Sequence, residues 1–90
     1  MYTLQYTNKF KKDLKRALKR GYDISLLEIT IALLQKNGTL PEQYKTHKLT
    51  GKYTGLNECH IKPDWLLIWD QNDKDLILLF LATGSHSDLF

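Results

Sequence analysis

The chain lacks any long hydrophobic run. Its longest apolar stretch, Leu76 to Ala82, falls far short of the ~20 residues that a membrane-spanning helix needs, so no membrane partner is expected. Cysteine is almost absent. With only Cys59 no internal disulfide can form, a usage that suits a reducing cytoplasm. The N-terminus carries no signal-peptide pattern, and proline- or glycine-rich linkers, repeats and low-complexity tracts are missing. Residues 1–90 therefore read as a single domain in the cytoplasm, with room for one core. Negative charge is scarce in one place above all. From Lys9 to Arg20 the cations Lys9, Lys11, Lys12, Lys15, Arg16, Lys19 and Arg20 are opposed only by Asp13. Such a row is either the solvated face of a helix or a surface for phosphates or an acidic partner, and charge alone does not choose between them.

Hydrophobic periodicity orders what is present. Tyr2 to Tyr6 alternates and reads as a strand. Thr7 or Asn8 can cap a helix reaching about Arg20, with Phe10, Leu14, Ala17 and Leu18 as its apolar stripe and Gly21 as its stop. Asp23 or Ser25 can cap a second helix, and Ser25 with Glu28 has capping-box spacing. That helix is apolar on more than one side and is expected to lie between the first helix and a sheet; Asn37-Gly38 and Pro41 end it. Short strands and turns follow. Gly51 and Gly55 bracket a tip, Leu56 to Lys62 alternates, Pro63-Asp64 turns, and Trp65–Trp69 and Asp75–Leu81 are further strands. The last is apolar throughout, as in a central strand covered on both faces. The expected fold is α+β, with two N-terminal helices packed on one face of a small, mainly antiparallel sheet of four or five strands that also takes in the first strand.

All three histidines, His47, His60 and His86, lie in the second half, with Asp64 four residues after His60. Histidine titrates near neutrality, and a pair of proton-transfer groups is what cleavage of RNA by its own 2′-hydroxyl requires. Each residue also has an ordinary structural explanation: a boundary histidine, a turn aspartate, a core Trp65. The spacings of the histidines and Cys59 match no compact zinc motif, and neighbours Cys59 and His60 on a strand should face opposite ways.

The run from His47 to Trp69, containing His47-Lys48-Leu49-Thr50-Gly51 and His60-Ile61-Lys62-Pro63-Asp64-Trp65, resembles the signature of the YafQ branch of the RelE toxin superfamily. The tail Thr83-Gly84-Ser85-His86-Ser87-Asp88-Leu89-Phe90 is similar to that family's ending, and the likeness extends over essentially the whole chain. It implies the toxin of a type II toxin–antitoxin pair. Such a toxin is a ribosome-dependent endoribonuclease that cleaves mRNA without metal or other cofactor, leaving a 2′,3′-cyclic phosphate and a 5′-OH. Carried over by position, it implies a site of His47, His60, Asp64 and His86. His86 would be the general acid, Asp64 helped by His60 the general base, and His47 an orienting group. Trp65 and Phe90 would stack on mRNA bases.

One position departs from the pattern. The family carries an arginine just before the Thr-Gly-Ser-His tail, and here the residue is Ala82. Alanine offers a phosphate no contact. Either the position was altered to attenuate a toxic protein, or the enzyme draws on Lys48, Lys52 or Lys62 instead. A catalytically silent binding module, acting through antitoxin and operator co-repression, is the competing reading. The implied partners are a cognate antitoxin, the 70S ribosome with mRNA, and operator DNA bound only by the toxin–antitoxin complex. The Lys9–Arg20 row would face the ribosome or antitoxin.

Overall fold

The first strand, β1 (Thr3–Tyr6), cannot bury its apolar side alone, and it completes the edge of a sheet built from the other end of the chain. In the computed structural model, which describes residues 1–90, it runs parallel to β5 (Ile77–Gly84) with Thr3 beside Ile77 and Tyr6 beside Phe80. The remaining neighbours are antiparallel, through β4 (Trp65–Asn72), β3 (Asn57–Lys62) and the two-residue β2 (His47–Lys48), in the order β1-β5-β4-β3-β2. The expected α+β architecture with a five-stranded, mostly antiparallel sheet is thus the one found.

Helix α1 (Asn8–Lys19) is capped by Thr7, whose hydroxyl accepts from the Phe10 amide at 3.0 Å. Gly21, at φ +79°, turns the chain out of it. Helix α2 (Ile24–Asn37) is capped by Asp23, which accepts from both the amide and the hydroxyl of Ser25. Ser25 is therefore a partner of the cap and not the cap itself. The α2 helix packs toward β3 while α1 lies along β5, so α2 is not sandwiched as expected, and its Ile29 stays 52% exposed. Phe10, Leu27 and Leu34 from the helices meet Cys59, Leu67, Trp69, Leu78 and Phe80 from the sheet in one core. The strand covered on both faces is β4, whose Trp65–Trp69 segment is wholly buried; β5 leaves Ile77, Leu79 and Leu81 half-buried.

Strand alternation then dictates the other face. Because Cys59 points into the helix-side core, Glu58 and His60 must point away from it. On that far face Leu66 and Ile68 are covered by the Gly51–Tyr53 turn and by a short C-terminal helix, α3 (His86–Leu89). Two register shifts shape the rim: Ile61 is extra in β3 and Leu81 in β5. Such bulges bend a strand and re-aim its side chains.

Candidate active site

The far face brings three imidazoles into a row. His60 lies in the middle, its ring centroid 6.2 Å from that of His47 and 5.9 Å from that of His86. His47 comes from β2, directly across from Glu58 on β3, and its Nε2 is 3.1 Å from Glu58 Oε1. Its Nδ1 faces the Lys45 carbonyl at 3.0 Å. Both ring nitrogens of His47 are thus engaged within the protein. His60 Nδ1 faces the Pro63 carbonyl at 3.3 Å, which leaves its Nε2 free.

At the other end, Asp64 Oδ1 accepts from the His86 backbone amide at 2.8 Å and from His86 Nδ1 at 2.6 Å. These two bonds hold the Asp64 carboxyl below its ordinary pKa, so it is a carboxylate and cannot donate. His86 must carry its proton on Nδ1 toward Asp64, which again leaves Nε2 free. Two ring nitrogens are thereby presented with their partners already fixed.

Glu58 is the residue that sequence reasoning missed. Its side chain is 6% exposed, and Oε2 has no hydrogen-bond partner at all. A buried, unpartnered carboxylate oxygen is costly, and it marks a position where a proton or a ligand is expected. The signal existed: Glu58 and His60 are two apart on one strand and so share a face. His47, Glu58 and His60 also place one potential ligand atom each within 4.8 Å of one another. Two imidazoles and a carboxylate form a donor set that suits zinc, copper or nickel.

Other expected site residues fall into two groups. Phe90 is 61% exposed and meets Tyr53 edge-on at 5.7 Å, with Lys52 Nζ 5.7 Å from the Tyr53 ring centre. Lys62 is exposed beside His60 and Asp64. Two residues do not reach the site. Trp65 is 3% exposed, packs edge-on against Tyr22 and donates its indole N–H to Thr83, so it belongs to the core and cannot stack on a base. Lys48 alternates with His47 and faces the opposite way, toward Gly38, Leu34 and Asp73; it too is withdrawn from the substrate-binding set. The Cys59 thiol is fully buried and its pKa is pushed up to about 12 by desolvation and then by Glu58.

The basic row on α1 also divides. Lys11, Lys12, Lys15 and Lys19 are exposed and make no ion pair, while Lys9, Arg16 and Arg20 are engaged by Asp13 and Asp88.

Residues 2–90 match the family described as bacterial toxin of type II toxin–antitoxin system, YafQ. The chain belongs to the YafQ toxin family. It is 40% identical over 88 residues to the mRNA interferase toxin YafQ of Escherichia coli K12, covering 97% of this chain and 94% of that protein. The fold of the E. coli DinJ–YafQ complex toxin superposes with a TM-score of 0.90 at 37% identity, covering 100% of this chain and 99% of that one. A metal-bound toxin from Helicobacter pylori superposes with a TM-score of 0.90 at 39% identity, both chains covered completely. In this YafQ-family chain no helix is long and apolar enough to cross a membrane.

Proposed function

We propose that this protein is the ribosome-dependent mRNA endonuclease of a toxin–antitoxin pair, cutting RNA through its own 2′-hydroxyl. The observation that carries this reading is the row of imidazoles flanked by two carboxylates on an open sheet face. His60, whose Nδ1 faces the Pro63 carbonyl and whose Nε2 has no protein partner, takes the 2′-OH proton, and the buried Glu58 carboxyl paired with His47 supports that end of the row from behind. The 2′-oxygen attacks phosphorus, and His86, reacting as the imidazolium that keeps its Nδ1–H on Asp64, delivers its Nε2 proton to the departing 5′-oxygen. The products are a 2′,3′-cyclic phosphate and a 5′-OH. Asp64 is committed to His86 through both bonds of one oxygen, so its work is to fix the orientation of that ring, and the base role passes from Asp64 to His60. Lys52 and Lys62 add positive charge for the phosphate, and Phe90 with Tyr53 offers a stacking surface for a base.

The partners follow from the same reading. The E. coli relative is seen bound to DinJ, and for this chain a cognate antitoxin is proposed, with operator DNA bound only by the pair. The unpaired lysines of α1 are the surface for ribosomal RNA phosphates.

The test is cleavage of mRNA on programmed ribosomes with mapped product ends. Codon-phased cuts ending in 2′,3′-cyclic phosphate are expected, blocked by a 2′-deoxy nucleotide at the cut. His86→Ala and His60→Ala should each slow cleavage by about 100- to 10,000-fold. If the folded wild-type protein makes no cuts, the silent binding module, which Ala82 favours, takes its place.

Metal enters as a competitor. The H. pylori relative is metal-bound, and here His47, Glu58 and His60 each offer a ligand atom that fits such an ion. A bound ion would occupy the lone pairs that proton transfer needs, so zinc or copper should inhibit cleavage and a chelator should restore it. Stimulation by zinc would overturn that order.

A further inference from the structure

The cations of α1 that are not free converge on one acidic residue at the far end of the chain. Asp88 Oδ2 accepts from Arg20 Nη1 at 2.6 Å, lies 3.7 Å from Arg16 Nη2, and accepts from the Ser85 amide at 2.9 Å. The Ser85 hydroxyl accepts from the Asp88 amide in return, which closes a capping box around the helix that starts with His86. These contacts hold the Asp88 carboxyl far below its ordinary pKa, Arg20 contributing most.

The grip continues upstream. Asp13, 4% exposed, accepts from the Thr83 amide at 3.2 Å and pairs with Arg16 at 3.2 Å, and Arg16 Nη2 reaches the Thr83 carbonyl at 3.4 Å. Gly84 lies between. With φ at +155°, a Cβ there would sit 2.8 Å from Asp88 Oδ2 and 2.9 Å from Arg16 Nη2. Only a glycine lets the carboxylate and guanidinium close over the backbone at that point. Thr83, Ser85, His86 and Asp88 are therefore each tied to α1, to Asp64 or to the capping box. The Asp64–His86 bond, by contrast, joins two side chains that are 67% and 55% exposed, and an exposed pair is weakly held by itself.

We propose that Asp88, gripped by Arg20 and Arg16, is a positioning residue for His86, so that part of the basic ridge on α1 acts on the reaction from within the fold. This rests on His86 being the general acid. Arg20 fixes Asp88, Asp88 fixes the first turn of α3, and that turn presents the His86 ring with Nδ1–H held by Asp64, so that Nε2 faces the substrate with the proton the acid gives up. A ring that drifts by an ångström loses the in-line approach to the leaving oxygen.

Arg20→Ala tests the idea with the capping box intact. Ribosome-bound mRNA cleavage should show kcat lowered by about 10- to 100-fold, with KM and its salt dependence unchanged. Arg20→Lys should recover most of the rate, since the contact is a single N–H to one oxygen. Lys15→Ala, an unpaired lysine of the same helix, should raise KM and flatten the salt dependence instead. A raised KM with intact kcat in Arg20→Ala would make Arg20 an RNA contact and overturn the proposal. Long-range proton–nitrogen NMR of the His86 ring at pH 8 supplies a readout independent of cleavage. The wild type should show the Nδ1-protonated tautomer and Arg20→Ala a mixture of tautomers. A protein that cuts no RNA yet loses the tautomer on substitution would keep the clamp and refute the nuclease reading; an unchanged tautomer would refute the clamp. Asp88→Asn, which keeps an acceptor for the Ser85 amide, serves the same purpose should Arg20→Ala fail to fold.

Discussion

Ala82 stands opposite Ile68 on the sheet face that carries Glu58 and His60, and it is 6% exposed. Beside it is a hollow of about 190 Å³ lined by Tyr53, Leu56, Ile68, Leu81 and Leu89, with Lys9 at its edge. An arginine grown from this position has room to run through that apolar channel toward the Tyr53–Phe90 pair, with its head group near the substrate. Charge placed where a phosphate gains charge is worth on the order of 100-fold in rate, so Ala82→Arg should speed ribosomal mRNA cleavage by about that factor. Equal rates for the two proteins would mean that the lysines already supply what the arginine would. The same face explains which site residues could be read from the sequence. His47, His60, Asp64 and His86 stood out because their types fit acid–base chemistry and their spacing fits the family signature, and the fold brings them together. Glu58 did not stand out, because a glutamate in an alternating strand resembles a solvent-facing residue until the register sets it against His47. Lys48 and Trp65 were misjudged for the converse reason. Motif position says nothing about face, and one-residue alternation sends Lys48 away from His47, while Trp65 is claimed by Tyr22 and Thr83.

At the scale of elements, periodicity located α1, α2 and the four longer strands because each buries one continuous stripe or face, whereas the two-residue β2 and the four-residue α3 are too short to show a period. What it could not supply were the partners. The apolar run of β5 suggested a central strand, and β5 is interior, between β1 and β4, but it is β4 that is buried through a continuous five-residue segment. The row of cations on α1 read as a uniform surface, yet Asp13, the one acid within it, is turned inward. There it accepts from Thr83, Lys9 and Arg16 together. A buried charge with all its donors in place is expensive to disturb, since removing it strands the groups that served it. Asp13→Ala should therefore lower the free energy of unfolding by about 3 kcal/mol, whereas Lys9→Ala, which removes a partner that is 59% exposed, should cost under ~1 kcal/mol. Urea unfolding of the three proteins measures both values. Similar costs for the two substitutions would show that Asp13 is no more than a surface ion-pair partner.

For the whole molecule, a few polar ties close the chain end upon end. Tyr2 donates to Asp73 at 2.7 Å, Arg20 to Asp88 at 2.6 Å, and His86 to Asp64 at 2.6 Å. In all three the carboxyl pKa is lowered in the folded protein, by Tyr2 at Asp73, by Arg20 at Asp88 and by the His86 amide at Asp64. Between the folded and unfolded values the unfolded chain binds more protons, so stability rises with pH there. The contribution is complete above the ordinary aspartate value of about 3.9 and is lost as the pH falls through the folded values, last at Asp88, where the lowering is largest. The Tyr2–Asp73 tie also has an alkaline limit. Its hydrogen bond raises the Tyr2 pKa above the usual value of 10.0, so that contribution is present below the ordinary tyrosine range and is lost as the pH rises through the folded value. The share of the urea midpoint that these ties supply should accordingly be level from about pH 5 to pH 9, drop on the acid side of the aspartate range, and drop again on the alkaline side. Tyr2→Phe should remove the part of the alkaline fall that belongs to Tyr2 and soften the acid one by the share of Asp73, leaving the steepest acid loss to Asp88. If Tyr2→Phe left both limbs as they are in the wild type, the tie between the first strand and the β4–β5 turn would carry none of the pH dependence.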